Sequence, residues 1–139
     1  MDYNELAVKA DEARKNAYCI YSKFSVGTAL LAKSGKVYTG CNMENASFPA
    51  GSCAENTAFS KAISEGERGF TAIAIAGGPK GAPSDNTFPC GVCRQLMNEF
   101  TDRNSFDVLI VQKDLSYKAY KLKDLLPYSF GPEDMEDLI

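Results

Sequence analysis

Residues 88–96 read FPCGVCRQL, which sets Cys90 and Cys93 three apart. A second stretch, SCAEN, sets Cys53 two residues ahead of Glu55. Thiolates ligate metals, and a carboxylate held beside a metal site can move protons. A C-x-x-C pair alone admits three uses: a redox disulfide, half of a structural zinc site, or part of a catalytic one. A redox pair leaves Cys53 without a role. A closed structural site needs a fourth donor. The candidates are Cys41 and Cys19, and neither belongs to a second such pair. Three sulfurs with a fourth position left for water describe a catalytic zinc, and the spacing favours that reading. Glu55 adds weight as a proton carrier, although an acidic residue in a first helical turn also suits the helix dipole by itself. The chain has no histidine. Any metal site must therefore use Cys, Asp or Glu, and acid–base chemistry near neutral pH must use something other than imidazole.

Positioning these groups falls to the surrounding elements. Residues 3–18 carry apolar positions at three- and four-residue steps, which predicts an amphipathic helix. Strands follow at about 24–32 and 37–41, joined at Ser34-Gly35. NASFPAGS reads as loop. Helices are predicted from about Cys53 to Glu65 and over 91–102. FTAIAIAGG and SFDVLIVQ are short apolar runs of the kind a strand covered on both faces shows. SYKAYKL reads as a weaker edge strand and LKDLLPYSF as a short helix. The order α-β-β-α-β-α-β-β-α predicts a three-layer α/β/α domain, residues 1–139, around a mixed five-stranded sheet. Cys53 and Cys90 then stand at helix starts, where free N–H groups favour thiolate. If both helices lie on one sheet face, their starts can meet and three sulfurs converge.

Composition narrows the function. The 139 residues carry 15 basic and 18 acidic side chains, a net charge of −3, with no basic run. Non-specific nucleic-acid binding needs clustered Lys and Arg, so no nucleic-acid partner is expected. No apolar stretch is long enough for a membrane span, and the first residues are polar, so a cytoplasmic protein with no membrane partner is expected. The five cysteines then stay reduced.

CAE followed by PCGVC resembles the zinc deaminase signature in its all-cysteine form. More closely, the chain resembles the small homotetrameric cytidine deaminases. YSKFSVGTALL, GCNMENASFPAGSCAENTA, PCGVCRQ and LLPYSFGP all match in order and spacing. The resemblance implies one Zn2+ per subunit on Cys53, Cys90 and Cys93. Water activated there would attack the amino-bearing carbon of a cytosine ring. Glu55 would pass that water's proton to the adjacent ring nitrogen and then protonate the departing amine. The implied reaction is hydrolysis of cytidine and 2'-deoxycytidine to uridine and 2'-deoxyuridine with release of ammonia, in pyrimidine salvage. The resemblance also places Phe24 against the nucleoside, Asn42 and Glu44 at the ribose hydroxyls, and a backbone group of Ala54 at the base. Two residues apart at a strand end, Asn42 and Glu44 face the same way. Ala46, Phe48 and Phe130 would be lent to a neighbouring subunit's site in a homotetramer.

Arg94 and Gln95 follow the second ligand pair directly. Each could support the site from behind the ligands, and each is equally a solvated helix position. One departure stands out: the family commonly has arginine after CAE, and this chain has Asn56. Zinc with three thiolates carries a net −1, and Asn56 brings no cation to offset it. A blasticidin S-type aminonucleoside deaminase on the same fold is the alternative enzyme, which the NMEN segment and the FGP tail disfavour. A non-catalytic structural zinc module is the rival from another class.

Overall fold

The computed structural model describes residues 1–138. Helix α1 spans Tyr3–Ala13. Asp2 caps it, accepting from the Asn4 amide at 3.1 Å. Leu6, Ala7 and Ala10 are fully buried along one face. The periodicity continues to residue 18, but the helix tightens into a 3-10 turn at Arg14–Asn16 and stops. The cause is long-range. The Tyr18 amide donates to the Asn42 carbonyl at 2.9 Å, and the Tyr18 carbonyl accepts from the Glu44 amide at 2.8 Å. These bonds draw the chain into a bridge with Met43. Arg14, buried at this junction, donates to Asp11 at 3.2 Å, the Ser25 carbonyl at 3.1 Å and the Pro79 carbonyl at 3.3 Å. A buried cation is tolerated when its N–H groups find such partners.

The sheet holds β1 (Phe24–Ala32), β2 (Val37–Cys41), β3 (Phe70–Pro79), β4 (Asp107–Val111) and β5 (Tyr117–Lys121), in the order β2-β1-β3-β4-β5. β1 runs antiparallel to both β2 and β3; β3 is parallel to β4, and β4 antiparallel to β5. The mixed five-stranded sheet matches the sequence reading. The apolar run of β3 is buried on both faces, yet only its β4 edge is parallel. β2, β3 and β4 therefore point the same way. Helix α2 (Ala54–Ser64) follows β2, and helix α3 (Gly91–Phe100) follows β3. Both helices start at the same rim of the sheet.

The sheet is covered on both sides. Phe59, Met97, Phe106, Ile73, Ile75 and Ile110 pack between it and α2, α3 and the short α4 (Leu122–Leu125). Leu6, Ala10, Ala29, Leu31, Leu109 and Val111 pack under α1. Each large side chain among them contributes roughly 1.5–3 kcal/mol by leaving water. Two glycines set how closely the helices approach. A Cβ on Gly27 would lie 2.2 Å from the Ala10 carbonyl oxygen, and one on Gly40 would lie 2.3 Å from that of Ala54. Those positions let α1 and α2 rest directly on the β1–β2 hairpin.

Candidate active site

Cys53 and Cys90 are the N-cap residues of α2 and α3, and neither helix start has a side-chain cap. Cys93 lies one turn into α3 and is fully buried. The Sγ atoms of Cys53, Cys90 and Cys93 all lie within 4.8 Å of one another. Among the described residues no fourth His, Cys, Asp or Glu joins this group. Cys19 and Cys41 are free thiols outside it. Three sulfurs without a fourth side-chain donor suit zinc with room for a further ligand.

The sulfurs interact strongly without a metal. Cys93 donates its S–H to Cys53, which with a hydrogen bond from Cys90 lowers the Cys53 thiol to about 6. That same hydrogen bond, reinforced by burial, pushes the Cys93 thiol up. A cation placed here replaces the shared protons. Glu55, in the first turn of α2, is only 4% exposed. Burial raises its carboxyl to about 7, with a further push from the charge on Cys53. It stands beside the sulfurs without joining the ligand group. A carboxyl poised near neutrality is suited to taking up and releasing a proton at working pH.

A cavity of about 720 Å³ opens over this cluster. Its walls include Phe24, Asn42, Glu44, Phe48, Cys53, Ala54, Glu55 and Cys90. Phe24 starts β1, and Ala54 opens α2. Asn42 and Glu44 lie just past β2, where Met43 between them bridges both Tyr18 and Ser52.

Other residues singled out by the sequence lie elsewhere. Ala46 is exposed beyond the cavity wall. Asn56 is exposed and accepts from the Ser60 hydroxyl at 3.1 Å. Arg94 donates to the Pro89 carbonyl at 2.8 Å and the Leu125 carbonyl at 2.7 Å, so it fastens the segment leading into Cys90. Gln95 donates to the Phe130 carbonyl at 2.8 Å, and the buried Asn98 does so at 3.0 Å. Phe130 thus has its backbone fixed to α3 while its ring stays largely exposed.

The model of the cytidine and deoxycytidylate deaminase zinc-binding region matches residues 2–107 of this chain. The chain belongs to that deaminase family. It is 42% identical over 135 residues to the cytidine deaminase of Sporosarcina psychrophila, covering 97% of this chain and 96% of that one. It is likewise 42% identical over 137 residues to the cytidine deaminase of Halalkalibacterium halodurans, covering 99% and 100%. Among solved structures, cytidine deaminase from Burkholderia pseudomallei superposes with a TM-score of 0.84 at 39% identity, covering 94% of this chain and all of that one.

Several cavity residues of the deaminase carry no sequence signal of their own. Tyr21, Ser22, Val26, Met43, Thr87 and Phe88 line the walls. Thr87 and Phe88 belong to the 80–89 loop. That loop is stitched to β3 by the Ser84 hydroxyl, which accepts from the Gly77 amide at 2.9 Å, and by the Thr87 hydroxyl, which donates to the Gly77 carbonyl at 2.8 Å. Loops of this length in a compact domain often take part in function.

Proposed function

We propose that this deaminase hydrolyses cytidine and 2'-deoxycytidine to uridine and 2'-deoxyuridine with release of ammonia, using zinc held by Cys53, Cys90 and Cys93. The observation that carries the reading is a buried carboxyl, raised to about 7, beside three converging sulfurs, with Cys53, Glu55 and Cys90 lining a cavity of about 720 Å³ that has room for a nucleoside. Zinc, when bound there, supplies Lewis-acid activation of water at neutral pH.

The chain's own residues do the rest. Ionised, Glu55 accepts a proton from the attacking water at a carboxylate oxygen. It passes that proton to the ring nitrogen beside the reacting carbon. The same carboxyl then takes the remaining proton of the newly added hydroxyl and gives it to the amine, which departs as ammonia and leaves a carbonyl in its place. Glu55 itself is shielded from solvent at 4% exposure, which limits competition from bulk water for these transfers. In this reading Phe24 packs along the base, an Ala54 backbone group meets it, and Asn42 and Glu44 meet the sugar.

The assembly in this reading is a homotetramer, with Ala46, Phe48 and Phe130 lent to a neighbour's site. Phe48 is 79% exposed and Phe130 60% exposed, which supports a further protein surface against both rings. The five free cysteines suit a reducing, cytoplasmic setting. Among the described residues no helix is long and apolar enough to cross a membrane. The net charge of −3 supports a small-molecule substrate over nucleic acid.

The test is an ultraviolet assay on cytidine, with the metal measured alongside. The parent enzyme depletes cytidine, loses activity to a chelator and regains it with zinc. Glu55→Ala keeps one zinc per chain yet turns over nothing. Turnover by Glu55→Ala at the parent rate, or a parent indifferent to zinc removal, would overturn the reading.

A further inference from the structure

We propose that Ser22 is a positioning residue that fixes the Glu44 carboxylate for sugar binding and ties it to the backbone of Phe24. The inference rests on the reading that Glu44 meets the sugar. It comes from a hydrogen-bond count. Glu44 Oε1 accepts from two backbone amides, Tyr21 at 2.9 Å and Ser22 at 3.0 Å. Glu44 Oε2 accepts from the Ser22 hydroxyl. That hydroxyl in turn accepts from the Phe24 amide at 3.0 Å. Because Phe24 N–H occupies the acceptor side of Ser22 Oγ, the hydroxyl proton is directed to Glu44.

A carboxylate has about four lone-pair positions. The three donors above leave one, on Oε2, for a ligand. Ser22, Phe24 and Glu44 all line the cavity. One hydroxyl therefore sets both the orientation of the sugar-side carboxylate and the backbone of the aromatic on the base side. Removing it leaves the Phe24 amide and Oε2 without their partner. The carboxylate is then held by amides on one oxygen only.

A double-mutant cycle on KM for cytidine tests the assignment. Ser22→Ala raises KM about tenfold, the size expected when one hydrogen bond to a charged group is lost, and changes kcat much less. Ser22→Thr, which keeps the hydroxyl, restores KM. In a Glu44→Ala background the Ser22→Ala change has a much smaller effect, limited to the loss of the Phe24 amide's partner. If Glu44→Ala itself leaves KM at the parent value, the sugar reading of Glu44 fails. If Glu44→Ala raises KM while Ser22→Ala either has no effect or adds its full effect in both backgrounds, the positioning role of Ser22 is wrong.

Discussion

The Thr28 hydroxyl, fully buried in β1, donates to the Ala54 carbonyl at 3.0 Å. Ala54 lies between Cys53 and Glu55, so this bond pins α2 to the sheet at the point where ligand and acid diverge. Gly40 lies opposite Thr28 across the β1–β2 ladder. Its missing side chain leaves the space the helix occupies.

The first prediction concerns that seat. A Cβ at residue 40 would come within 2.3 Å of the Ala54 carbonyl oxygen and 2.7 Å of the Ala58 nitrogen, both backbone atoms. Gly40→Ala must therefore lift α2, and it is expected to cost about 3 kcal/mol in urea unfolding and to lower zinc content. Thr28→Val keeps the volume and removes only the hydrogen bond. Its expected cost is about 1 kcal/mol, with zinc retained. Equal losses from the two variants would contradict this account.

Glu55 gives the metal-free protein a distinct pH dependence. Its carboxyl moves from 4.5 to about 7 on folding, so between those values the folded state holds a proton the unfolded state has released. Stability is full below about 4.5 and falls as pH rises toward 7. The total is on the order of 3 kcal/mol. Glu55→Gln removes this loss. In chelator, the variant should gain on the parent from pH 5 to 8 in thermal or urea unfolding. Parallel curves for the two proteins would contradict the assignment.

Asn56 lies three residues past Cys53, on the same helix face, and is exposed. Asn56→Arg brings a cation to a site whose ligands and metal sum to −1. Deprotonation needed for attack becomes easier, so the acidic limb of the kcat/KM profile is expected to move to lower pH. A limb that stays in place would show that charge at residue 56 is too remote to matter.

Arg94 bonds to two carbonyls, one of them directly before Cys90. Arg94→Leu is expected to loosen that ligand and weaken zinc retention at least tenfold in competition with a chelator, the usual range for a partner that orients a ligand. Unchanged retention would mean the loop holds its own shape.

If sites are shared between subunits as proposed, two inactive variants should complement each other. Glu55→Ala and Phe130→Ala are each expected to be inactive or nearly so. Mixed after unfolding and refolded together, they should recover activity, because hybrid sites pair an intact Glu55 with an intact Phe130. Activity no higher than the sum of the two alone would mean that each site is built from one chain.

Much of this was readable from the chain because it depends on local chemistry. β1 and β2 stand where alternating and apolar runs placed them. Cys53 and Cys90 mark helix starts because glycine- and proline-rich loops precede them. Distant partners were not readable. The end of α1 is set by Tyr18 bonding to residues past β2, which no helical pattern encodes. Asn42 and Glu44 read as an amide and a carboxylate facing one way at a strand end, with no protein partner legible for either. In the fold Asn42 accepts from the Val26 amide and donates to the Phe24 carbonyl, each at 2.9 Å, and Glu44 is engaged by Tyr21 and Ser22. Gln95 read equally as a support behind the ligands and as a solvated helix position, and in the fold its amide donates to the carbonyl of Phe130. In each case the sequence names the group, and only the tertiary fold names its partner.

Because α2 and α3 both begin at one rim, the opposite rim is left to connections such as the turn at Gly35, which has a φ of 94° and open space around its Cα. Nothing from that turn lines the cavity. A fluorophore, affinity handle or surface tether attached through the exposed Lys36 beside that turn would thus sit at the far end of the sheet from the reaction, so the enzyme could be immobilised or labelled there with turnover left intact.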